Sequence, residues 1–393
     1  MKRNHLLSLT VLLLQIIPVA SFAEVCIDGI YYNLDSNTKE AAVTYHHSED
    51  FPTTNYNYNR YNSYKGEITI PSTIKHDGIT YKVTSIEDVG FAGNASLTTV
   101  NIPNSITYIG ERAFNSCIGL TTITIPKSVT SISYRAFSGC NNLSSIIVDK
   151  DNKVYDSRNN CNAIIETETN ELIQGCPSTI IPNTVTRIGE ASFAEIKTLT
   201  SITIPESVTS IGESAFSGSG ILSIVLPQSI IHIDKCAFYE CRNLTSITLP
   251  EALDNISYGT FASTGLKSIT FPASVEMINE GAIENLELES IYFESTTPPN
   301  FYGYYMQYTG FTISNNVVIH VPVGCKDIYM NNDIGKKHTI IDDIVVTEKT
   351  TFIGSIEKSN STTSNIFDLA GRRLTMQKKG INIINGKKVL TKQ

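Results

Sequence analysis

Apolar residues recur along this chain in blocks of about 23, and the order within each block predicts a short strand followed by a tight turn. Aligned on its proline, a block reads Leu-x-x-Ile-x-Ile-Pro-x-Ser-Val-x-x-Ile-(x4)-Phe. It is most complete at Leu199, Ile202, Ile204, Pro205, Ser207, Val208, Ile211 and Phe216. The prolines stand at 103, 126, 182, 205, 227, 250 and 272, in steps of 22 or 23 except one of 56. A phenylalanine follows eleven residues later as Phe114, Phe137, Phe193, Phe216, Phe238 and Phe261, is replaced by Ile283 in the last block, and is preceded by Phe91. Self-similarity at a fixed period of this length predicts a solenoid. One coil buries too few side chains to offset the ordering of its backbone, so stacking must supply the rest. About nine coils with parallel strands fit between Pro71 and Glu294, a rod of roughly 40 Å at about 4.8 Å per strand. The expected class is mainly β, with short helical turns.

Strand alternation sets inside and outside. The residues one and three before the proline are mostly Ile or Leu and point inward, so those two and four before it face out. Four before it stand Thr99, Thr122, Ser145, Ser201, Ser223, Ser246, Ser268 and Ser290. Two before it stand Asn101, Thr124, Ile147, Thr203, Val225, Thr248, Thr270 and Tyr292. This ribbon of small hydroxyls is the candidate binding face, centred on Thr122, Thr124, Ser201, Thr203, Ser246, Thr248, Ser268, Thr270 and Tyr292. A rigid face of this kind suits a large partner held by many weak contacts. Strand preference and solubility explain the same residues without any partner.

The flanks lack the period. Residues 24–66 hold two strand-like runs, Gly29–Leu34 and Lys39–Tyr45, around the turn signal Asp35-Ser36-Asn37-Thr38, which predicts a capping hairpin and then a loop. Residues 67–296 form the solenoid. The long step between Pro126 and Pro182 leaves room for a hairpin insertion near 150–178, expected to project from the rod. Residues 297–354 read as a C-terminal cap with a strand at Val317–Pro322 and a short helix over Gly324–Asn332. Residues 355–393 read as a Ser/Thr/Asn linker and a small terminal unit. Two tyrosine groups, at 56, 58, 61 and 64 and at 302, 304, 305 and 308, suit either contact surfaces or covers for the solenoid ends.

Composition narrows the compartment and the partners. Residues 1–23 carry Lys2 and Arg3, an apolar run from Leu6 to Ala20 and small residues before a cut at Ala23, the layout of a secretory signal peptide. The apolar run is short for a membrane span, and nothing else could cross a bilayer. Without the signal the formal charge moves from −8 to −10, and the seven Lys or Arg of residues 371–393 leave the body at −17. An acidic body argues against nucleic acid as a partner. Of the eight cysteines, Cys117, Cys140 and Cys241 each follow the column phenylalanine by three residues, as small buried side chains would. Cys161 and Cys176 are different. Pairing Ile164 with Ile173 across the predicted hairpin sets them opposite each other as a possible disulfide, whose formation depends on the redox habitat.

Catalytic and metal templates are not found. The chain has no His-Glu-x-x-His, Gly-x-Ser-x-Gly, P-loop or Gly-x-Gly-x-x-Gly, and Asp149–Asn160 fails as a calcium loop at its fifth, sixth and twelfth positions. His46-His47 with Glu49 and Asp50 is the one His-acid cluster, better explained as a solvated loop. No cofactor or metal is expected.

The coil Leu-Thr-Ser-Ile-Thr-Ile-Pro-x-Ser-Val-Thr-Ser-Ile-Gly-x-x-Ala-Phe resembles the BspA-like, bacterial surface-antigen type of leucine-rich repeat. Asp28–Tyr32, the insertion Val154–Ile165 and the exit Thr297-Pro298-Pro299 match that class as well. Instead of an asparagine ladder it carries Ser105, Ser128, Thr184, Ser207, Ser229 and Ser274. The segment Ile366–Leu390 is similar to C-terminal sorting segments of exported Bacteroidetes proteins. The resemblance implies a non-enzymatic leucine-rich-repeat solenoid, exported to the cell surface or secreted. It implies adhesion to a protein or other cell-surface macromolecule, by a monomer. A glycan-binding accessory protein on the same solenoid is the alternative.

Overall fold

The computed structural model describes residues 23–46, 64–284, 286–302, 317–332 and 338–344, with the backbone of short strands between 366 and 391. The expected signal segment, the Tyr-rich loop before Tyr64 and the linker fall outside these residues.

Two parallel stacks of short strands build the solenoid. The strands before the proline form the first: Gly66–Thr69 with Leu97–Asn101, Thr122–Ile125 with Ser145–Val148, and Ser223–Val225 with Ser246–Thr248. Ser268–Phe271, Ser290–Phe293, Val318–Pro322 and Thr339–Ile344 continue it as a four-stranded sheet. The second stack consists of two- and three-residue strands such as Arg187–Ile188, Ser210–Ile211 and His232–Ile233. A constant period returns like residues to the same rung, so Ile123 pairs with Ile146, Ile224 with Ile247 and Phe271 with Phe293.

The turn between the stacks is itself a ladder. The N–H of Phe91 donates to the carbonyl of Ala113 at 2.7 Å, Phe114 to Ala136 at 2.7 Å, and Phe216 to Ala237 at 2.8 Å. These rings are fully buried, and Phe91, Phe114 and Phe137 stack at 5.1 and 5.0 Å. Phe193, Phe216, Phe238 and Phe261 stack at 5.2–5.8 Å. Two residues before each phenylalanine the backbone is left-handed, at Val89, Arg112, Arg135, Ala191, Ser214, Cys236 and Gly259, with φ between 51° and 64°. Two residues after it, Gly93, Ser116, Gly139, Glu195, Gly218, Glu240 and Ser263 are left-handed too.

Side chains reinforce these ladders. Ser128 Oγ donates to the carbonyl of Ile106 at 2.6 Å; Ser207, Ser229 and Ser274 repeat the bond to Val185, Val208 and Leu253 at 2.7 Å. This serine ladder stands where an asparagine ladder is lacking. The Phe-x-x-Cys thiols act alike: Cys117, Cys140 and Cys241 donate to the carbonyls of Phe91, Phe114 and Phe216 at 2.9–3.1 Å.

Both ends are closed by a tyrosine. Ala23–Ile27, Ile30–Asp35 and Glu40–Thr44 form an antiparallel meander, one strand more than the expected hairpin, and Glu40–Thr44 pairs in parallel with Ile79–Ile86. Tyr64 is 1 % exposed, not a contact tyrosine; its ring lies 4.8 Å from that of Phe91 and its hydroxyl donates to the carbonyl of Thr44 at 2.6 Å. At the other end the stack outlasts the sequence period. Ile319 and Ile340 continue the inward column of Ile291, and the helix Lys326–Met330 carries buried Tyr329, whose hydroxyl donates to the carbonyl of Ser295 at 2.9 Å.

The insertion does not project. Ile164–Glu166 and Glu171–Gln174 form the expected hairpin, and Glu171–Gln174 pairs in parallel with Arg187–Ile188 as a rung of the second stack. Ile164 and Ile173 on one face and Ile165 and Leu172 on the other are apolar, so the hairpin packs on both. Ile164 and Cys176 belong to the core that begins at Ile30, whereas Cys161, Ile165 and Leu172 belong to the core that runs to Ile340. A bulge between Ile164 and Ile165 shifts the register, so that Ile165 pairs with Leu172 but Ile164 with Gln174. Cys161 and Cys176 therefore do not face each other, and both are free thiols. Arg158 fixes the loop before the hairpin, donating to Asp156 at 2.8 and 2.6 Å and to Asn170 at 2.7 Å. The terminal segment forms an antiparallel four-stranded sheet in the order 373–374, 366–367, 380–384, 387–391.

Candidate binding face

The first stack turns its outward positions to solvent. Thr124, Ser201, Thr203, Ser246, Thr248, Ser268 and Thr270 are exposed, while Thr122 and Tyr292 are half-buried. Their inward neighbours Ile123, Ile204, Leu249, Ile269 and Phe271 are buried. In-register pairing sets these positions in two columns: Ser223 beside Ser246, Val225 beside Thr248, Ser268 beside Ser290 and Thr270 beside Tyr292. Tyr292 in turn stacks on His320 of the next strand, with ring centroids 4.3 Å apart and planes 13° from parallel. The imidazole Nδ1 of His320 meets the Asp343 carboxylate at 2.9 Å.

The hydroxyls of this face differ from those of the ladders. Those of the serine ladder, and of Thr107, Thr130, Thr186 and Thr209, bond from coil to coil. Those of Thr124, Ser201, Thr203, Ser246, Thr248, Ser268 and Thr270 belong to exposed residues, and from Thr99 to Tyr292 the two columns hold no charged residue.

Charge collects instead beside the second stack. A groove of about 470 Å³ is lined by Arg187, Glu190, Glu213, Asp234, Lys235 and Ser257. Arg187 meets Asp234 at 2.9 Å and Glu171 at 3.5 Å, and Lys235 meets Glu213 at 3.1 Å, so ion pairs tie the insertion to the following coils. Burial, then the charge of Glu213, pushes the Glu190 carboxyl above its ordinary range. Sequence reading passed over this groove because its members lie on four separate coils. Their signal was a charged residue recurring three before the column phenylalanine, at 88, 111, 190, 213 and 235.

The other candidates are dispersed. His46 bonds Glu24 at 2.9 Å and stacks on Tyr31; His47, Glu49 and Asp50 lie outside the described residues. Tyr302 is 63 % exposed at the C-terminal end, whereas the tyrosines at 304, 305 and 308 lie outside. Among the described residues no group of three or more His, Cys, Asp or Glu is placed to hold a metal ion, and no helix is long and apolar enough to cross a membrane.

The family model of the BspA type leucine rich repeat region matches residues 61–168 and 170–289 in six copies, more than half of the chain. No curated protein matches it. Among solved structures it is similar to the pneumococcal vaccine antigen PcpA, at 16 % identity over 82 % of this chain and 99 % of that one, with a TM-score of 0.50. A leucine-rich repeat protein from Bacteroides ovatus is 19 % identical over 82 % of this chain and 77 % of that one, with a TM-score of 0.33. A leucine rich cell surface protein from Faecalibacterium prausnitzii is 19 % identical over 81 % and 94 %, with a TM-score of 0.36. At these identities the likeness is one of fold.

Proposed function

Because the chain belongs to the BspA-type leucine-rich repeat family, we propose that it is an exported, non-enzymatic binding scaffold. In this reading the first-stack strand face engages a protein or other macromolecule at a cell surface, in the manner of an adhesin. The carrying observation is the contrast in hydroxyl use: ladder hydroxyls are consumed by coil-to-coil bonds, while those of the strand face remain available to a partner. Stacking makes that face rigid before binding, which lowers the ordering cost of association. PcpA, similar in fold, is described as a vaccine antigen, in keeping with surface display. Residues 1–23 would direct export, and the basic terminal unit would serve sorting or anchoring.

A glycan-binding role is the second reading, favoured by the Tyr292–His320 stack on the same face. The test uses the chain without residues 1–23 against immobilised matrix proteins and a glycan array, with Ser201→Asp, Thr203→Asp and Thr248→Asp combined as the face variant. Saturable binding to matrix proteins that the variant loses supports the scaffold. Binding to sugars alone replaces it with the second reading, and protein binding untouched by the variant removes the strand face from the account.

A further inference from the structure

The strand face is not chemically uniform along its length. In the outward column two before the proline position, successive coils carry Ile147, Ile180, Thr203 and Val225, three aliphatics in four rungs. Ile180 is 76 % exposed, Val225 73 % and Ile147 49 %. Leu222, which enters the strand that carries Val225, is 51 % exposed. Toward the C-terminus the same column returns to hydroxyls at Thr248 and Thr270.

Strand register explains the exposure of these side chains and does not explain their identity. The inward positions are already apolar in nearly every coil, and threonine serves the strand equally well at the outward ones. Ile180 comes from the segment that leaves the insertion, and its N–H donates to the carbonyl of Cys161 at 3.0 Å. Its backbone is thus fixed while its side chain stays in water.

From this stretch we propose that the middle of the strand face docks an extended, uncharged polypeptide segment bearing aliphatic side chains. The inference rests on the strand face being the binding surface, and it names the partner's chemistry. Charge supports the choice. The body of the protein carries a net charge of −17, yet these columns hold none. A neutral strip in an acidic body repels polyanions through its surroundings and offers an acidic or basic segment no counter-charge. Aliphatic side chains, not flat rings, occupy the strip, so its match is an apolar side chain and not the face of a sugar. The flanking Ser and Thr hydroxyls can bond the backbone of such a segment.

The test measures fluorescence anisotropy of a labelled peptide of alternating Val and Thr, with a neutral solubilising tail, against the full chain without residues 1–23. Parallel arms use the same peptide with Val changed to Glu, and soluble neutral glucan. Ile180→Asp with Val225→Asp is the patch variant, and Ile231→Asp, an exposed aliphatic beside the second stack and off the strand face, is the control. Both are checked for an unchanged melting profile, which their exposure allows. Expected are saturable binding of the Val/Thr peptide, at least tenfold weaker for the patch variant and nearly unchanged for Ile231→Asp, with the Glu peptide failing to bind. Equal binding by the patch variant and the wild type overturns the proposal, as does a preference for glucan. In either case the broader strand-face reading stands or falls on the matrix-protein and glycan assays. Matrix-protein binding lost in the hydroxyl variant but kept in the patch variant likewise overturns this proposal and leaves that reading intact.

Discussion

The backbone of Gly175 lies flat against the ring of Phe193, so close that a Cβ there would stand 2.0 Å from the ring. Phe193 is fully buried and stacked on Phe216, so it has nowhere to retreat. The phenylalanine column is broken between Phe137 and Phe193, and Gly175 covers the ring face that has no phenylalanine neighbour. Gly175→Ala is expected to cost about 3 kcal/mol, as overpacking in a closed core does. Thermal unfolding of the single variant and of Gly175→Ala with Phe193→Leu checks it; the second change should recover part of the loss, and an unaltered midpoint in the single variant would contradict the packing.

Val89 is a β-branched residue held at φ 54°, in a column where other coils place Gly259 and Gly281. A left-handed backbone costs a non-glycine residue roughly 1–2 kcal/mol, partly offset here by the contacts of a half-buried side chain. Val89→Gly should therefore stabilise the protein by about 1 kcal/mol in urea unfolding. A loss of stability would show that side-chain contact outweighs backbone strain at this position.

The column at Val89 also shows where sequence reading ended. The inward isoleucines and the phenylalanines were legible because burial constrains residue type, and their spacing separated the outward from the inward positions of the first stack. The left-handed columns were obscured because seven coils fill the first with Val, Arg, Ala, Ser, Cys and Gly. Only the recurring glycines hinted at them. Asp28-Gly29 and Asp77-Gly78, with φ of 50° and 80° and of 47° and 77°, are two-residue hairpin turns of a readable kind. The first was hidden because its leading strand, Ala23–Ile27, overlaps the expected cleavage region. The insertion was misplaced because a hairpin apolar on both faces can be buried only between two cores, and spacing alone does not show a second one.

Cysteine reactivity should divide by burial. Burial pushes the Cys140 thiol up to about 12 and the Cys241 thiol up to about 11, and Cys117 moves the same way. Cys26 is exposed. A thiol reagent at neutral pH should label Cys26 in the native protein and spare these three, because the thiolate is the reactive species. Unfolding without reductant should release all eight thiols. Recovery of Cys161 joined to Cys176 would contradict their separation into two cores.

Glu190 provides the pH dependence. Its folded pKa is raised by burial and by Glu213, so its ionised form is disfavoured in the native state. Above both the folded and unfolded values this opposes folding, and the penalty disappears as pH falls through the folded value toward the unfolded one near 4.3. Glu190→Gln should therefore be more stable than the wild type near neutrality, with the difference closing in acid. Denaturant midpoints across that range decide it, and a difference that widens on acidification would reverse the sign.

Neighbouring Ile164 and Ile165 point into different halves of the molecule, which makes the hairpin a bulkhead within the rod. Ring-to-ring contact lets an injury to one coil travel along its own half, but the continuous run of touching phenylalanines stops at this partition. Coils on one side can thus be lost, gained or altered over time while the other keeps its shape.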